Sequence, residues 1–291
     1  MNILRRQNNR GSEKKVSVIV PNYNYGKYIM GRLKSIARQT YPIEEIIILD
    51  DASTDDSLDR NLHAMAEVGR MRPEIHIKLI KNKQNSGKAM RQWLKGVEKA
   101  RGDYIWIAEA DDLARPKFLA EVMRGFDDAE VVLSYSESAL INANGIMMTP
   151  NFRWSRDREK TGHYKKSYVG SGIDEIKEIM AIRCTIPNVS AVVFKKTPEL
   201  IKGITEALDY AQAGDWYLYL RLVDGKKLAY QKKSLNLFRI HSGSVTNKNK
   251  NAKVHLDEIE RIHKFLKDKY DLPEQTRRLM DAEMARLSAR G

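Results

Sequence analysis

Short apolar runs alternate with amphipathic stretches over the first 115 residues. The apolar runs are rich in β-branched residues and predict strands at 16–20, 45–49, 75–80 and 104–107. Between them, apolar residues recur at helical spacing and predict helices at 28–38, 55–70 and 89–100. Such alternation with short links is typical of an α/β fold with a mostly parallel central sheet.

The pattern changes beyond Pro116. A helix is predicted near 118–126, and strands are predicted at 131–135, 188–194, 228–230 and 235–241. A further apolar helix is predicted to begin at Gly214 and Asp215. Residues 149–172 carry basic and aromatic residues without a period, which predicts a loop that covers a cleft.

The two ends of the chain differ from the middle. Residues 1–15 are polar and basic and predict a disordered leader. Residues 248–291 predict a helical extension, in which five apolar residues share one helix face: Ile259, Ile262, Phe265, Leu266 and Tyr270. That face could dock on the rest of the chain, dimerise or lie on an anionic membrane, and docking is the favoured interpretation.

Composition narrows the class of protein. No apolar run approaches the ~20 residues of a membrane helix, and the N-terminus lacks the apolar segment of a secretory signal. Cys184 is the only cysteine, so an internal disulfide and a cysteine zinc cluster are excluded. We therefore expect a cytoplasmic protein.

The chain is strongly basic, with 51 Lys and Arg against 38 Asp and Glu and a net charge of +13. This balance favours anionic partners: nucleic acid, acidic lipid or phosphorylated small molecules. The basic residues are spread out rather than interleaved with aromatic residues, so nucleic acid is the least favoured of these partners.

Three carboxylates follow the apolar run at 104–107 directly: Glu109, Asp111 and Asp112. Ligands of open α/β sheets gather at the carboxyl ends of strands, and clustered carboxylates repel one another unless a cation neutralises them. Mg²⁺ and Mn²⁺ accept such oxygen ligands together with phosphate and water. The alternative is a solvated turn whose acids cap the helix that begins near Pro116.

Five segments carry a resemblance to a known family: VSVIVPNYN (16–24), QTYP (39–42), ILDDASTD (48–55), GDYI (102–105) and EADD (109–112). In this order and spacing they resemble the motifs of family 2 glycosyltransferases, which are inverting enzymes of the GT-A fold. The resemblance runs from residue 16 to about 247. It implies a GT-A domain with a Rossmann-like, mostly parallel sheet flanked by helices, divided into a nucleotide-binding half (16–115) and an acceptor half (116–247).

The resemblance assigns the loop after the first strand to a nucleotide base. Pro21 and Tyr23 would line the base, and Asp51 would accept a hydrogen bond from the N3–H of a pyrimidine. This agrees with the chemistry, because uracil and thymine carry that N–H and cytosine does not. Asp50 would serve the ribose or brace the turn. Alternatively, Asp50 and Asp51 only cap the helix after Asp55.

The resemblance also implies a metal and diphosphate site. Asp111 takes the place of the metal ligand. Glu109, at the position where the family has Asp, and Asp112 would contact the nucleotide-sugar. The ion would be Mn²⁺ or Mg²⁺. His241 would reach the metal or the diphosphate. Four further residues would contact the diphosphate: Gly87, Lys88, Arg91 and Arg239.

Asp215 is the predicted catalytic base. The family commonly has two acids at this helix start, and here Gly214 replaces the first. A carboxylate within reach of an acceptor hydroxyl can take its proton during attack on the anomeric carbon. The alternative role of Asp215 is to cap the helix.

Together these features predict a metal-dependent inverting glycosyltransferase that uses a UDP- or dTDP-sugar. The predicted acceptor is a glycan or a lipid-linked saccharide of bacterial surface polysaccharide, and the basic surface would permit peripheral membrane association. A nucleotidyltransferase is disfavoured, because the loop 21–24 lacks glycine and basic residues. A non-catalytic nucleotide- or glycan-binding domain is the remaining alternative, since Glu109 and Gly214 depart from the family pattern.

Overall fold

The computed structural model describes residues 14–158, 161–243 and 251–289. Ten strands form one sheet: β1 (Val16–Asn22), β2 (Glu45–Asp50), β3 (His76–Lys81), β4 (Tyr104–Ile107), β5 (Leu113–Ala114), β6 (Val131–Ile141), β7 (Met147–Thr149), β8 (Tyr168–Ser171), β9 (Val192–Lys195) and β10 (Lys227–Arg239).

Helices flank the sheet: α1 (Gly26–Ala37), α2 (Ser57–Met71), α3 (Ala89–Lys99), α4 (Phe118–Val122), α5 (Arg153–Arg156), α6 (Gly172–Glu175), α7 (Pro198–Ala207), α8 (Gly214–Val223), α9 (Ala252–Lys269) and α10 (Glu274–Ser288). Short 3-10 turns lie at Met123–Asp127, His163–Lys165 and Val189–Ala191, and one π-helical turn lies at Ile176–Met180. None of the described helices is long and apolar enough to cross a membrane.

The strand order is β3-β2-β1-β4-β9-β6-β10-β5, with β7 beside β6 and β8 beside β10. The predicted parallel pairing holds for the first four strands and for β6 with β10. Antiparallel pairs join β9 to β4 and to β6, and join β10 to β5 and β8. The α/β class is confirmed, and the second half of the sheet is mixed.

The first strands are apolar throughout because both faces of the sheet are covered. Val18 and Val20 pack towards the side of α1 and α2, whereas Ile19 packs towards α3. At Gly96 of α3, an added Cβ would lie 2.9 Å from Ile19 Cδ1, so this helix rests closely on β1. Two buried faces explain why these strands lack polar alternation.

Several predicted elements differ from the structure. The strand predicted at 188–194 begins only at Val192, after the 3-10 turn Val189–Ala191. The segment 149–172, predicted as a loop, contains α5 and β8, and β8 pairs with β10. Aromatic packing explains β8, because the Tyr168 ring lies 5.5 Å from that of Tyr230. The two strands predicted at 228–230 and 235–241 form one strand, β10, with irregular pairing near Gln231 and Ser234.

The C-terminal helices dock on the domain, as the favoured interpretation predicted. Ile259, Ile262 and Leu266 of α9 belong to the same buried cluster as Trp216 and Tyr219 of α8. Most of the predicted leader and residues 244–250 lie outside the described residues. The division into a nucleotide-binding half and an acceptor half stays a prediction.

Candidate active site

The carboxylate loop, residues 109–112, begins two residues after β4, beside the carboxyl end of the parallel strand β1. The Glu109 amide donates to Ser190 Oγ (3.0 Å), and the Asp112 amide donates to the Glu109 carbonyl (3.3 Å). Asp111 and Asp112 are buried. Helix α4 begins only at Phe118 and has no side-chain cap, so the carboxylates are not helix caps.

Asp111 and His241 meet, although 130 residues separate them in the chain. The two side chains lie 2.9 Å apart, Asp111 Oδ2 to His241 Nε2. The imidazole also packs against two aromatic rings, with centroids 5.0 Å from Tyr28 and 5.7 Å from Tyr25. The two predicted metal ligands are therefore in direct contact with each other.

This pair fits a divalent cation that is shared with a substrate. In the described part of the chain, no three His, Cys, Asp or Glu side chains are grouped closely enough to hold a metal by themselves. Mg²⁺ and Mn²⁺ commonly use one or two protein side chains and fill the other positions with phosphate oxygens and water. One carboxylate and one imidazole are suitable donors for such a site.

Glu109 and Asp112 brace the loop. Glu109 Oε1 accepts from Trp93 Nε1 (2.7 Å), and Asp112 accepts from the Arg239 amide (2.8 Å) and Asn188 Nδ2 (2.7 Å). Burial, followed by the charge of Asp111, raises the pKa of Glu109 to about 8 and that of Asp112 to about 7. Their predicted contacts with the nucleotide-sugar stay predictions.

Arg32 of α1 was missed by the sequence reasoning. Its side chain is fully buried with the guanidinium 4.9 Å from the Trp106 ring, and none of its nitrogens has a hydrogen-bond partner among the described residues. Burial lowers its pKa to about 10, against the opposing charges of Asp112, Asp111 and Glu109. It stays protonated at neutral pH and is a countercharge for the carboxylates. The signal was an arginine on the apolar face of α1.

Arg239 supports the same loop instead of presenting a free guanidinium. It donates to the Asp111 carbonyl and to the carbonyls of Asn142 (3.0 Å) and Ala143 (3.1 Å). Its guanidinium also lies 4.8 Å from the Tyr28 ring. The structure thus gives Arg239 a bracing role, and the predicted phosphate contact stays a prediction.

Asp50 and Asp51 end β2 and have different surroundings. Asp50 accepts from the Ser53 amide (3.0 Å) and from Asn22 Nδ2 (3.0 Å), which braces the turn. Asp51 Oδ1 accepts from Asn82 (2.6 Å), and Ser86 Oγ donates to Asp51 Oδ2 (2.7 Å). Neither caps α2, which begins at Ser57.

An open cleft of about 480 Å³ lies beside these acids and is lined by Ala52, Ser53, Lys81, Asn82 and Lys83. Tyr23, just past the end of β1, is 43% exposed, whereas Pro21 is buried within β1. The cleft lies at the carboxyl ends of β2 and β3, where a base contacted by Asp51 would lie.

The predicted diphosphate contacts of the next loop are only partly available. Gly87 has a φ of +78° and open space around it. Lys88, however, donates to the carbonyls of Leu208 and Tyr210. Arg91 is exposed and donates to the Ser86 carbonyl (2.7 Å). Lys88 therefore holds the segment before α8 in this structure.

Asp215 lies in the first turn of α8. Its Oδ1 accepts from the Trp216 amide (2.8 Å), while the N-cap position of the helix belongs to Ala213. Burial raises the pKa of Asp215 to about 6. Close packing explains why position 214 is a glycine: an added Cβ would lie 2.8 Å from Met90 Cε and 2.9 Å from the Ala207 carbonyl oxygen.

Helix α3 brings the parts of the site together. Gln92 Nε2 donates to Asp51 Oδ1 (2.9 Å), and Trp93 Nε1 donates to Glu109. Met90, on the same helix, packs against Gly214 beside Asp215. Helix α3 therefore contacts Asp51 of the predicted nucleotide-base pocket, the carboxylate loop, and helix α8, which carries the predicted catalytic base.

Residues 17–175, more than half of the chain, match the sequence profile of glycosyl transferase family 2. The chain belongs to glycosyl transferase family 2. The matched residues include the carboxylate loop, whereas Asp215 and His241 of this family 2 chain lie beyond them.

Two curated relatives share part of the sequence. Over 129 residues the chain is 33% identical to glycosyltransferase GlyG of Streptococcus pneumoniae, and the aligned region covers 42% of this chain and 40% of GlyG. Over 134 residues it is 29% identical to the poly(ribitol-phosphate) β-N-acetylglucosaminyltransferase TarS of Staphylococcus aureus, and the aligned region covers 45% of this chain and 21% of TarS. The chain thus spans less than half the length of either relative.

Solved structures share the fold at low sequence identity. S. aureus TarS 1–349 in complex with UDP-GlcNAc superposes with a TM-score of 0.63 and 17% identity, covering 94% of this chain and 73% of that chain. The mannosyltransferase PcManGT from Pyrobaculum calidifontis, in complex with GDP-Man and Mn²⁺, gives a TM-score of 0.56 and 17% identity, covering 95% and 75%. These matches confirm the predicted GT-A fold.

Proposed function

We propose that this chain is a metal-dependent inverting glycosyltransferase that transfers a sugar from a UDP- or dTDP-sugar to an acceptor hydroxyl. The observation that carries the proposal is the arrangement around α3, where Met90, Gln92 and Trp93 connect three groups of the site. A pocket for the nucleotide base, a carboxylate loop and a half-buried acid at a helix start are the parts that such a transfer needs.

Asp111 and His241 would hold a Mn²⁺ or Mg²⁺ ion together with the donor diphosphate. Their 2.9 Å separation supports a shared ligand, and the Mn²⁺ in the mannosyltransferase complex supports a divalent ion. When bound, the ion would neutralise the phosphates and stabilise the diphosphate as a leaving group. Arg239 and Arg32 would keep the carboxylate loop in place.

Asp215 would accept the proton of the acceptor hydroxyl while the oxygen attacks the anomeric carbon opposite the diphosphate. Attack from that side inverts the configuration at the anomeric carbon. Burial raises the pKa of Asp215 to about 6. The carboxylate is therefore ionised at neutral pH, and its pKa is near enough to that pH for it to accept a proton as a general base.

Asp51 would read the base through the pyrimidine N3–H. Its oxygens already accept from Asn82, Ser86 and Gln92, so the base would take the place of one of these donors. UDP in the TarS complex supports a uracil nucleotide. The same acceptor would also suit thymine, so dTDP stays in the proposal.

The acceptor would be a glycan or a lipid-linked saccharide of a bacterial surface polysaccharide. The name of TarS, which describes transfer to poly(ribitol-phosphate), supports this context. A cytoplasmic location at the inner membrane face is proposed as well, since a net charge of +13 favours anionic surfaces.

Isothermal titration with UDP, dTDP, GDP and CDP, each with Mn²⁺ and with EDTA, tests the donor half. We expect metal-dependent binding of UDP or dTDP, loss of binding in Asp111→Asn and weaker binding in Asp51→Ala. Asp103→Asn is a matched control, because Asp103 is an exposed acid eight positions before Asp111. A folded protein that binds none of the four nucleotides would overturn the proposal.

A further inference from the structure

The turn before α8, residues 208–213, is held by the C-terminal helix α9. Three consecutive amides of this turn donate to one side chain, the buried carboxylate of Glu258. Gln212 N and Ala213 N each lie 2.9 Å from Glu258 Oε2, and Ala211 N donates to Oε1. All three donors precede the first residue of α8.

Such a group of amides is an anion-binding position. Successive amides that converge in a turn form a concave site for an anion. The Ala213 amide, at the N-cap position of α8, adds the partial positive charge of a helix N-terminus. Here the negative group comes from another helix, 45 residues later in the chain than Ala213. Glu258 therefore fixes both the position and the direction of the N-terminus of α8.

Other contacts of α9 support the same turn. The Arg261 guanidinium lies 3.7 Å from the Tyr210 ring centroid. Gln212 Nε2 donates to the Asn251 carbonyl (3.0 Å), immediately before α9. From the opposite side, Lys88 donates to carbonyls of Leu208 and Tyr210. The turn is held between the loop beside Asp51 and the C-terminal helix.

Asp215 lies two residues beyond Ala213, so its side chain depends on this turn. Glu258 is the titratable side chain whose charge acts on Asp215. Cys184 and Tyr219 are also close to it, because burial, followed by the charge of Asp215, raises the pKa of both groups. Burial is the main cause of its raised pKa, and the negative charge of Glu258 adds to the shift. Glu258 thus affects Asp215 through both geometry and charge.

We propose that Glu258 is a positioning residue for the transfer reaction, by which the C-terminal helix aligns the carboxylate of Asp215 with the acceptor hydroxyl. This inference rests on the proposed function, in which Asp215 is the base. It gives α9 a part in activity beyond its part in the core.

The test compares Glu258→Gln with Glu260→Gln. Both substitutions remove one negative charge from α9, but Glu260 is exposed and Glu258 is buried. For Glu258→Gln we expect kcat to fall on the order of 10-fold, because a small displacement of a reacting group is costly. UDP affinity should stay unchanged, and the acid limb of the pH–kcat profile should move to lower pH. Glu260→Gln should match the wild type.

Two results would overturn the inference: a Glu258→Gln enzyme with wild-type kcat, or an acid limb at the wild-type pH. If Glu258→Gln does not fold, Glu258→Asp keeps the charge and shortens the side chain; it should lower kcat and leave the acid limb in place, and wild-type kcat would again overturn the inference. Asp215→Asn separates the two proposals. If Asp215→Asn is fully active, the proposed base fails; if it is inactive while Glu258→Gln resembles Glu260→Gln, only the positioning role fails.

Discussion

At the scale of the residue, Asp111 and Asp215 are both acids of the proposed site, but their neighbours differ. Asp111 lies 2.9 Å from an imidazole and close to two further carboxylates, whereas Asp215 has one amide donor within its own helix turn. Burial raises the pKa of Asp215 to about 6. These different surroundings fit the roles proposed above, Asp111 as a metal ligand and Asp215 as the base.

Replacing the proposed base tests its role directly. We expect Asp215→Asn to lower kcat by about 10²–10⁴-fold, the usual contribution of a general base, without weakening UDP binding. Sugar transfer and isothermal titration would measure the two quantities. Asp209→Asn, an exposed acid in the preceding turn, is the control. Full transfer activity in Asp215→Asn would show that another group takes the proton.

The pH dependence follows from the same side chain. Because the pKa of Asp215 is raised to about 6, the ionised base is present above that pH and is lost as the pH falls through it. We expect kcat to decline below about pH 6, in proportion to the ionised fraction. Initial rates between pH 5 and pH 8 at saturating substrates would measure this. A rate that is constant down to pH 5 contradicts the assignment.

At the scale of the element, α3 determines how the parts of the site are spaced. Its residues contact Asp51, Glu109 and Gly214, while its inner face rests on β1 at Gly96. An added Cβ at Gly96 would lie 2.9 Å from Ile19 Cδ1, and Ile19 is a buried side chain of a central strand. Any side chain at Gly96 would move the helix and, with it, three groups of the site.

Two glycine-to-alanine substitutions test this packing. Gly96→Ala should lower the free energy of unfolding by about 1–3 kcal/mol through overpacking. Gly69→Ala, also within a helix, has nothing within 4 Å of the added Cβ and should raise it by about 0.5–1 kcal/mol. Urea denaturation of both variants measures the difference. Equal effects of the two substitutions would contradict the packing argument.

At the scale of the whole molecule, α10 is tied to two distant segments through Glu283. Arg158 lies 2.8 Å and Arg183 3.6 Å from Glu283 Oε2, and Arg286 of the same helix lies 2.6 Å from Oε1. Burial acts to raise the pKa of Glu283, but the hydrogen bonds and charges of these arginines outweigh it and lower it to about 2. The ion-pair network therefore connects the C-terminal helix with the segment after α5.

The network should stabilise the protein over a defined pH range. A lowered pKa means that the stabilisation is complete above the ordinary pKa of about 4.5 and is lost as the pH falls towards 2. Glu283→Gln should lower the free energy of unfolding on the order of 2 kcal/mol at pH 7. Denaturation at pH 7 and pH 3 should show a smaller difference from wild type at pH 3. A difference that is independent of pH would exclude the ion pairs as its cause.

Sequence reasoning predicted the parts that local patterns determine. Strand ends followed by acids pointed to Asp51 and Asp111, and motif order pointed to His241, which the structure places 2.9 Å from Asp111. Arg32 and Glu258 were missed because their roles depend on which distant atoms they pack against. Glu258 is one of several acids on a charged helix until the three amides near Ala213 are in place. Strand β8 was missed because its stability comes from aromatic contacts with other strands.

The shared core of α8 and α9 has a consequence for engineering. Ile259, Ile262 and Leu266 complete the cluster around Trp216, so a cut between β10 and α9 does not separate independent modules. A chimera that takes residues 116–247 from another family member should take α9 from the same parent, because Glu258 and its amide partners must match. Recombination libraries that place a crossover between β10 and α9 would be expected to yield few folded clones.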